Sequence, residues 1–178
     1  MINIRSYELK DRGFVENICA ERSDPMRKTL LTCFCNYYIE REPQNCFVAV
    51  DEVDKCIGYV LCAADFYVWE RVFKEEYYGK SQDPMTKGMW EGTVEGLKHF
   101  AKEYPAHLHI DIAEDYQRQG IGTKLIDELI KHLRKKSVKG LMFSVAIDNE
   151  KGLGFYRKYG FKELGRDERE IFMGLEME

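Results

Sequence analysis

The stretch YQRQGIGTKL (116–125) sets Gly120 and Gly122 directly ahead of an amphipathic repeat, where a helix must begin. A helix start leaves backbone N–H groups unpaired at the positive end of its macrodipole. Glycines there remove the Cβ atoms that would hold an anion away from the backbone. The chemistry open to such a stretch is binding of a phosphate or diphosphate. Its spacing is neither G-x-G-x-x-G nor G-x-x-x-x-G-K-[ST], so the dinucleotide and P-loop readings lack their motif. Arg118 and Lys124 could meet phosphates or simply be solvated.

A second group lies in AHLHID (106–111), where strand alternation sends His107, His109 and Asp111 to one face and Leu108, Ile110 and Ile112 to the other. Three ionisable groups in a row are costly to bury on a central strand, which makes Asp111 or His109 a candidate general base. Asp65 ends an apolar run, as either a carboxylate for a cationic acceptor or a helix N-cap. Trp69 and Trp90 could flank a cation or a sugar, although core packing is the commoner use of such residues. Cys33-Phe34-Cys35 matches no metal knuckle, and the six cysteines sit in apolar helix or strand patterns. They read as buried, inert thiols, and no metal site is expected.

These groups must be positioned by a chain of 178 residues, a length that fits one domain over 1–178. Its net charge of -4 and pI near 5.7 argue against a general affinity for nucleic acid or anionic membranes. No apolar run reaches the roughly 18 residues of a membrane span, and MINIRSYELKDRGF is too polar for a secretory segment. A cytoplasmic protein is expected.

Alternation predicts strands at 2–9, 46–51, 56–65, 106–113, 140–147, 161–165 and 169–176, the second and third joined as a hairpin through EVDK. Periodicity predicts helices at 11–22, from Asp24-Pro25 to Pro43, at about 67–79 and 85–103 in an aromatic-rich insertion (66–104), at 120–136 and at 149–160. The strand, helix, strand order across 106–147 implies a parallel pair with a right-handed crossover. The expected fold is α/β, a mixed and mostly antiparallel twisted sheet with one parallel splayed pair and helices on both faces. The C-terminal REIFMGLEME could supply a sheet edge for a homodimer.

Gln117-Arg118-Gln119-Gly120-Ile121-Gly122 matches [QR]-x-x-G-x-[GA], and Asn149 followed by Phe155-Tyr156-Arg157-Lys158-Tyr159-Gly160-Phe161 is similar to an "N…YxKxGF" block. In both, and in its element order, the chain resembles the GCN5-related N-acetyltransferase (GNAT) superfamily. GYVLCAAD, the aromatic segment and YPAHLHIDI also resemble bacterial proteins akin to the acetyltransferase-like domain of O-GlcNAcase. The resemblance implies that acetyl-CoA lays its pyrophosphate on the amides of Gln119, Gly120, Ile121, Gly122 and Thr123, with Gln117, Arg118 and Lys124 alongside. The pantetheine would run along Ile110, Ile112 and Ala113 with help from Asn149, and Tyr156 would be the acid that protonates the thiolate. Asp65, Trp69 and Trp90 remain candidates for the acceptor, a small-molecule or protein amine. The implied activity is direct acetyl transfer to a primary amine; the alternative is a non-catalytic CoA-binding or interaction module.

Overall fold

The computed structural model describes residues 2–177. Its alternating N-terminus forms β1 (Asn3–Ser6), and the two apolar runs become β2 (Phe47–Val50) and β3 (Cys56–Ala63), buried at every position. Asp51 builds the hairpin turn between them, its carboxylate accepting the N–H groups of Val53 and Lys55, while Asp54 takes a left-handed φ of 61°. The remaining strands are β4 (Ala106–Ile112), β5 (Gly140–Ala146), β6 (Lys162–Arg166) and β7 (Glu170–Glu176). All seven lie in one sheet of order β1-β2-β3-β4-β5-β7-β6, antiparallel except between β4 and β5. The expected mixed sheet is present, but β7 lies between β5 and β6. β7 is paired with β5 on one side and with β6 over Ile171–Gly174 on the other, so it is not the expected edge strand.

One face is covered by α1 (Arg12–Cys19), α2 (Arg27–Leu31), α3 (Tyr37–Arg41), α4 (Phe66–Phe73) and α5 (Pro84–Lys98). A π turn at Thr32–Asn36 joins α2 to α3, and another at Lys74–Tyr78 extends α4. The expected cap pair Asp24-Pro25 precedes the helix instead of starting it: the Asp24 carboxylate accepts the Met26 N–H, and α2 opens at Arg27. The other face is covered by α6 (Ile121–Lys135) and α7 (Glu150–Tyr159). The stripe Ile121, Leu125, Ile126, Leu129 and Leu133 packs α6 on Val60, Leu108 and Phe143. Each such fully buried aliphatic side chain contributes about 1.5–3 kcal/mol.

All six cysteines are free thiols, and no helix among the described residues is long and apolar enough to cross a membrane. At the head of β5 the chain passes so close to the preceding turn that only glycine fits. A Cβ on Gly140 would lie 2.5 Å from the Glu103 carbonyl oxygen and 2.8 Å from Tyr104 Cδ1. Gly140→Ala is therefore expected to cost about 1–3 kcal/mol by overpacking, read as a lower urea midpoint at an unchanged m-value.

Candidate functional site

β4 and β5 pair only at Ala106 with Leu141 and His107 with Met142, and then part. On its other side β4 stays paired with β3, out to Ile112 with Gly58 and the Ala113 N–H donating to the Ile57 carbonyl. In an antiparallel ladder residues alternate in the edge to which they turn their N–H and C=O groups. Ala113, Asp111 and His109 therefore face β3, and Leu108, Ile110 and Ile112 turn theirs into the gap beside β5. This splits the expected pantetheine contacts. Ile110 and Ile112 stand at the gap, whereas the Ala113 N–H is already taken. The Ile112 N–H donates to the Asp111 carboxylate and its carbonyl accepts from Gln117 Nε2, leaving Ile110 the least encumbered.

The gap opens toward the start of α6. Gly120 is left-handed (φ 76°), and no side chain caps the helix behind it. The first-turn amides of Ile121, Gly122 and Thr123 thus keep the unpaired donors of a helix start. Alternation of left- and right-handed residues is the geometry of an anion-binding concavity. Space around Gly120 is open, since a Cβ there would meet nothing within 4 Å. Gly122 has a different reason: its Cβ would come within 3.0 Å of the Phe155 ring on α7, so this glycine seats the two helices together. Arg118 and Lys124 are exposed and form no ion pair among the described residues. Gln119 Nε2 braces the loop by donating to the Asp115 carbonyl. Asn149 caps α7, its oxygen accepting the Gly152 N–H at 2.9 Å.

Ionisable side chains gather on the α1–α5 face of the gap. Asp111 is partly buried, and burial raises its pKa above the ordinary aspartate value, opposed by the bond from Ile112 N–H. Beside it, His109 Nδ1 lies 3.1 Å from the Tyr59 hydroxyl, and the Phe34 ring stacks on the imidazole at 5.2 Å. Burial pushes His109 down to about 4, so it is neutral near pH 7 and a weak proton acceptor. Tyr156 approaches from the α7 side, its ring against Phe143 at 4.4 Å. Its phenol is pushed up to about 12, by burial first and then by the charge of Asp111, and so keeps a proton to donate. The cysteines inside β3 are no nucleophiles here, since burial pushes Cys56 up to about 12 and raises Cys62 well above the usual thiol range.

The acceptor candidates fare differently. Asp65 is a helix cap, accepting the N–H groups of Tyr67 and Val68. It stands beside Pro105, before β4 begins, at the end of the sheet away from the gap. Trp69 and Trp90 are buried in the core with Phe73, and Trp69 packs on His107 at 4.5 Å. None of the three reaches the gap. Tyr59 and Phe34 were not among the sequence candidates although both touch His109. Finding Tyr59 requires the pairing that sets it opposite Asp111; finding Phe34 requires the π turn that carries it.

His107 is 2% exposed, and neither ring nitrogen meets a hydrogen-bond partner. Burial pushes its pKa down to about 3, while an unfolded histidine protonates near 6.5. Between those values the unfolded chain binds a proton the fold refuses, so this residue lowers stability as pH falls. His107→Leu is expected to gain on the wild type by up to about 1.4 kcal/mol per pH unit from about pH 6.5 toward pH 4, measured by urea unfolding.

The Acetyltransferase (GNAT) family model matches residues 14–161. N-alpha-acetyltransferase 30 of Schizosaccharomyces pombe is 24% identical over 165 residues, 90% of this chain and 84% of the relative. Among solved structures, SsHAT superposes with a TM-score of 0.89 at 24% identity, covering 99% of this chain and 98% of that one. The NatC complex bound to Gag peptide and CoA includes a chain that superposes at 0.63 with 15% identity, 99% of each chain being covered. At these identities the two structures speak for the fold alone.

Proposed function

The chain belongs to the acetyltransferase (GNAT) family, and on that premise we propose that it transfers acetyl from acetyl-CoA directly to a primary amine. The observation that carries the reading is the uncapped, glycine-led start of α6 at the mouth of the β4–β5 gap, with Asp111 and Tyr156 on its two sides. Acetyl-CoA, when bound, supplies the activated acetyl thioester. Its diphosphate would rest on the amides from Gln119 to Thr123 with Arg118 and Lys124 nearby, and its pantetheine would run past Ile112, whose N–H is taken by Asp111, to pair with the gap-facing carbonyl of Ile110.

Three tasks fall to this chain's own groups. Asp111, its basicity raised by burial, takes the proton of the incoming ammonium. The Ile110 N–H holds the carbonyl oxygen as negative charge develops on it. As the C–S bond breaks, Tyr156 gives its phenolic proton to the departing thiolate, and the second proton shed by the new amide nitrogen restores the phenol. Burial raises the basicity of Asp111 and lowers that of His109, which favours Asp111 for the base role. The raised pKa values of the Cys56 and Cys62 thiols support transfer without a covalent intermediate on either. Six free cysteines fit a reducing cytoplasm.

Thiol release from acetyl-CoA with a panel of amines tests the reading. Tyr156→Phe is expected to lower kcat roughly a hundredfold with CoA affinity unchanged; equal turnover removes Tyr156 from its role. CoA binding with no amine-dependent release would favour a non-catalytic module, the reading that the resemblance to the O-GlcNAcase acetyltransferase-like domain also raises. Thr123→Asp separates coenzyme binding from folding. A carboxylate at this exposed first-turn position should stabilise α6 by about 0.3–1 kcal/mol, yet weaken CoA roughly tenfold or more by repelling its diphosphate. Calorimetry with CoA and thermal unfolding read the two effects.

A further inference from the structure

The opening between β4 and β5 narrows to a closed end. His107 and Met142 form the last rung between the two strands, so Leu108 and Phe143 are the first residue of each strand beyond it. Both are buried and belong to the core beneath α6 and α7. On the other face the last rung itself closes the wedge, with Met142 and His107 buried beneath α1–α5.

The Phe143 ring is held on several sides. Tyr156 packs on it at 4.4 Å, Phe161 meets it edge-on at 5.0 Å, and Tyr156 and Phe161 lie 6.0 Å from each other. Behind it the strand is paired to β7, where the residue opposite Phe143 is the buried Met173. Rings packed in this way cannot swing aside for a fourth group without displacing their neighbours.

A coenzyme whose diphosphate rests at the start of α6 and whose pantetheine follows β4 leads with its acyl group, toward this closed end. A carbonyl oxygen held at the Ile110 N–H places the acyl carbons two residues short of Leu108, about 6.6 Å along the strand. The acetyl methyl uses about 1.5 Å of that length. Beyond it the carbons of the closed end need a contact distance of about 3.5–4.0 Å, so roughly one more carbon fits.

We propose that Phe143, held in place by Tyr156 and Phe161, sets the length of acyl chain the donor site admits, so that acetyl and propionyl enter and butyryl does not. The inference rests on the acetyl-transfer reading above and gives that reaction a residue that selects its donor. Phe143 acts by exclusion, since its ring carries no group that could exchange a proton.

The test is calorimetric titration of the full chain with CoA, acetyl-CoA and butyryl-CoA, which requires no acceptor. Butyryl-CoA is expected to bind about tenfold more weakly than acetyl-CoA, because overfilling a packed site is costly. In Phe143→Val that ratio should fall to near one with affinity for CoA itself unchanged, and Phe143→Leu, the milder truncation, should move it part of the way. Phe161→Leu loosens the same ring cluster without enlarging the closed end and should keep the wild-type ratio. Equal binding of the two thioesters by the wild type, a ratio that survives in both Phe143 variants, or one that Phe161→Leu removes equally, overturns the proposal while leaving acetyl transfer standing. Failure of CoA itself to bind overturns both.

Discussion

The divergence of β4 from β5 after His107 is the constraint on which the remaining features depend. A parallel pair joined by a crossover helix would ordinarily stay bonded along its length. Here two rungs form, and the gap-side backbone of β4 is left to face a wedge-shaped opening. The opening persists because each strand is anchored from its outer side, β4 by β3 and β5 by β7. A bound molecule with amide groups could complete the ladder. The start of α6 stands at the mouth of the same opening because the crossover from β4 must turn there, and Gly120 makes that turn through a left-handed backbone.

The opening also brings together groups from opposite faces of the sheet. Asp111 comes from the side covered by α1–α5, and Tyr156 from α7 on the other, yet the charge of one is felt by the other. Burial raises both pKa values, but with different consequences: the carboxylate becomes a better proton acceptor and the phenol remains a proton carrier. His109 shares the face of Asp111 but is locked between Phe34 and Tyr59, where desolvation disfavours its charged form. A carboxylate and a phenol thus reach the opening from opposite faces of the sheet.

Much of this was legible from residue order. Periodicity located every strand and the major helices, and the alternation of AHLHID correctly sent His107, His109 and Asp111 to one face. Helix boundaries shifted where local hydrogen bonds decided them, as Asp24 shows by bracing a turn before α2. What a single sequence does not encode plainly is register. The opposition of Tyr59 to Asp111 and the interior place of β7 both depend on pairings between distant segments. Aromatic residues misled for a related reason. Trp69 and Trp90 have the chemistry to grip a cation, and only packing shows that they are buried with Phe73 and His107 instead. Asp65 likewise has its carboxylate committed to the amides that open α4.

Residue-resolved amide hydrogen exchange, with and without acetyl-CoA, tests the central claim most directly. Binding along the gap and at the helix start should slow exchange at Ile110 and from Gly120 to Thr123, while the β1–β2 ladder at the far edge stays unchanged. Slowing confined to other segments, or none at saturating coenzyme, would contradict the assignment of this opening as the coenzyme site.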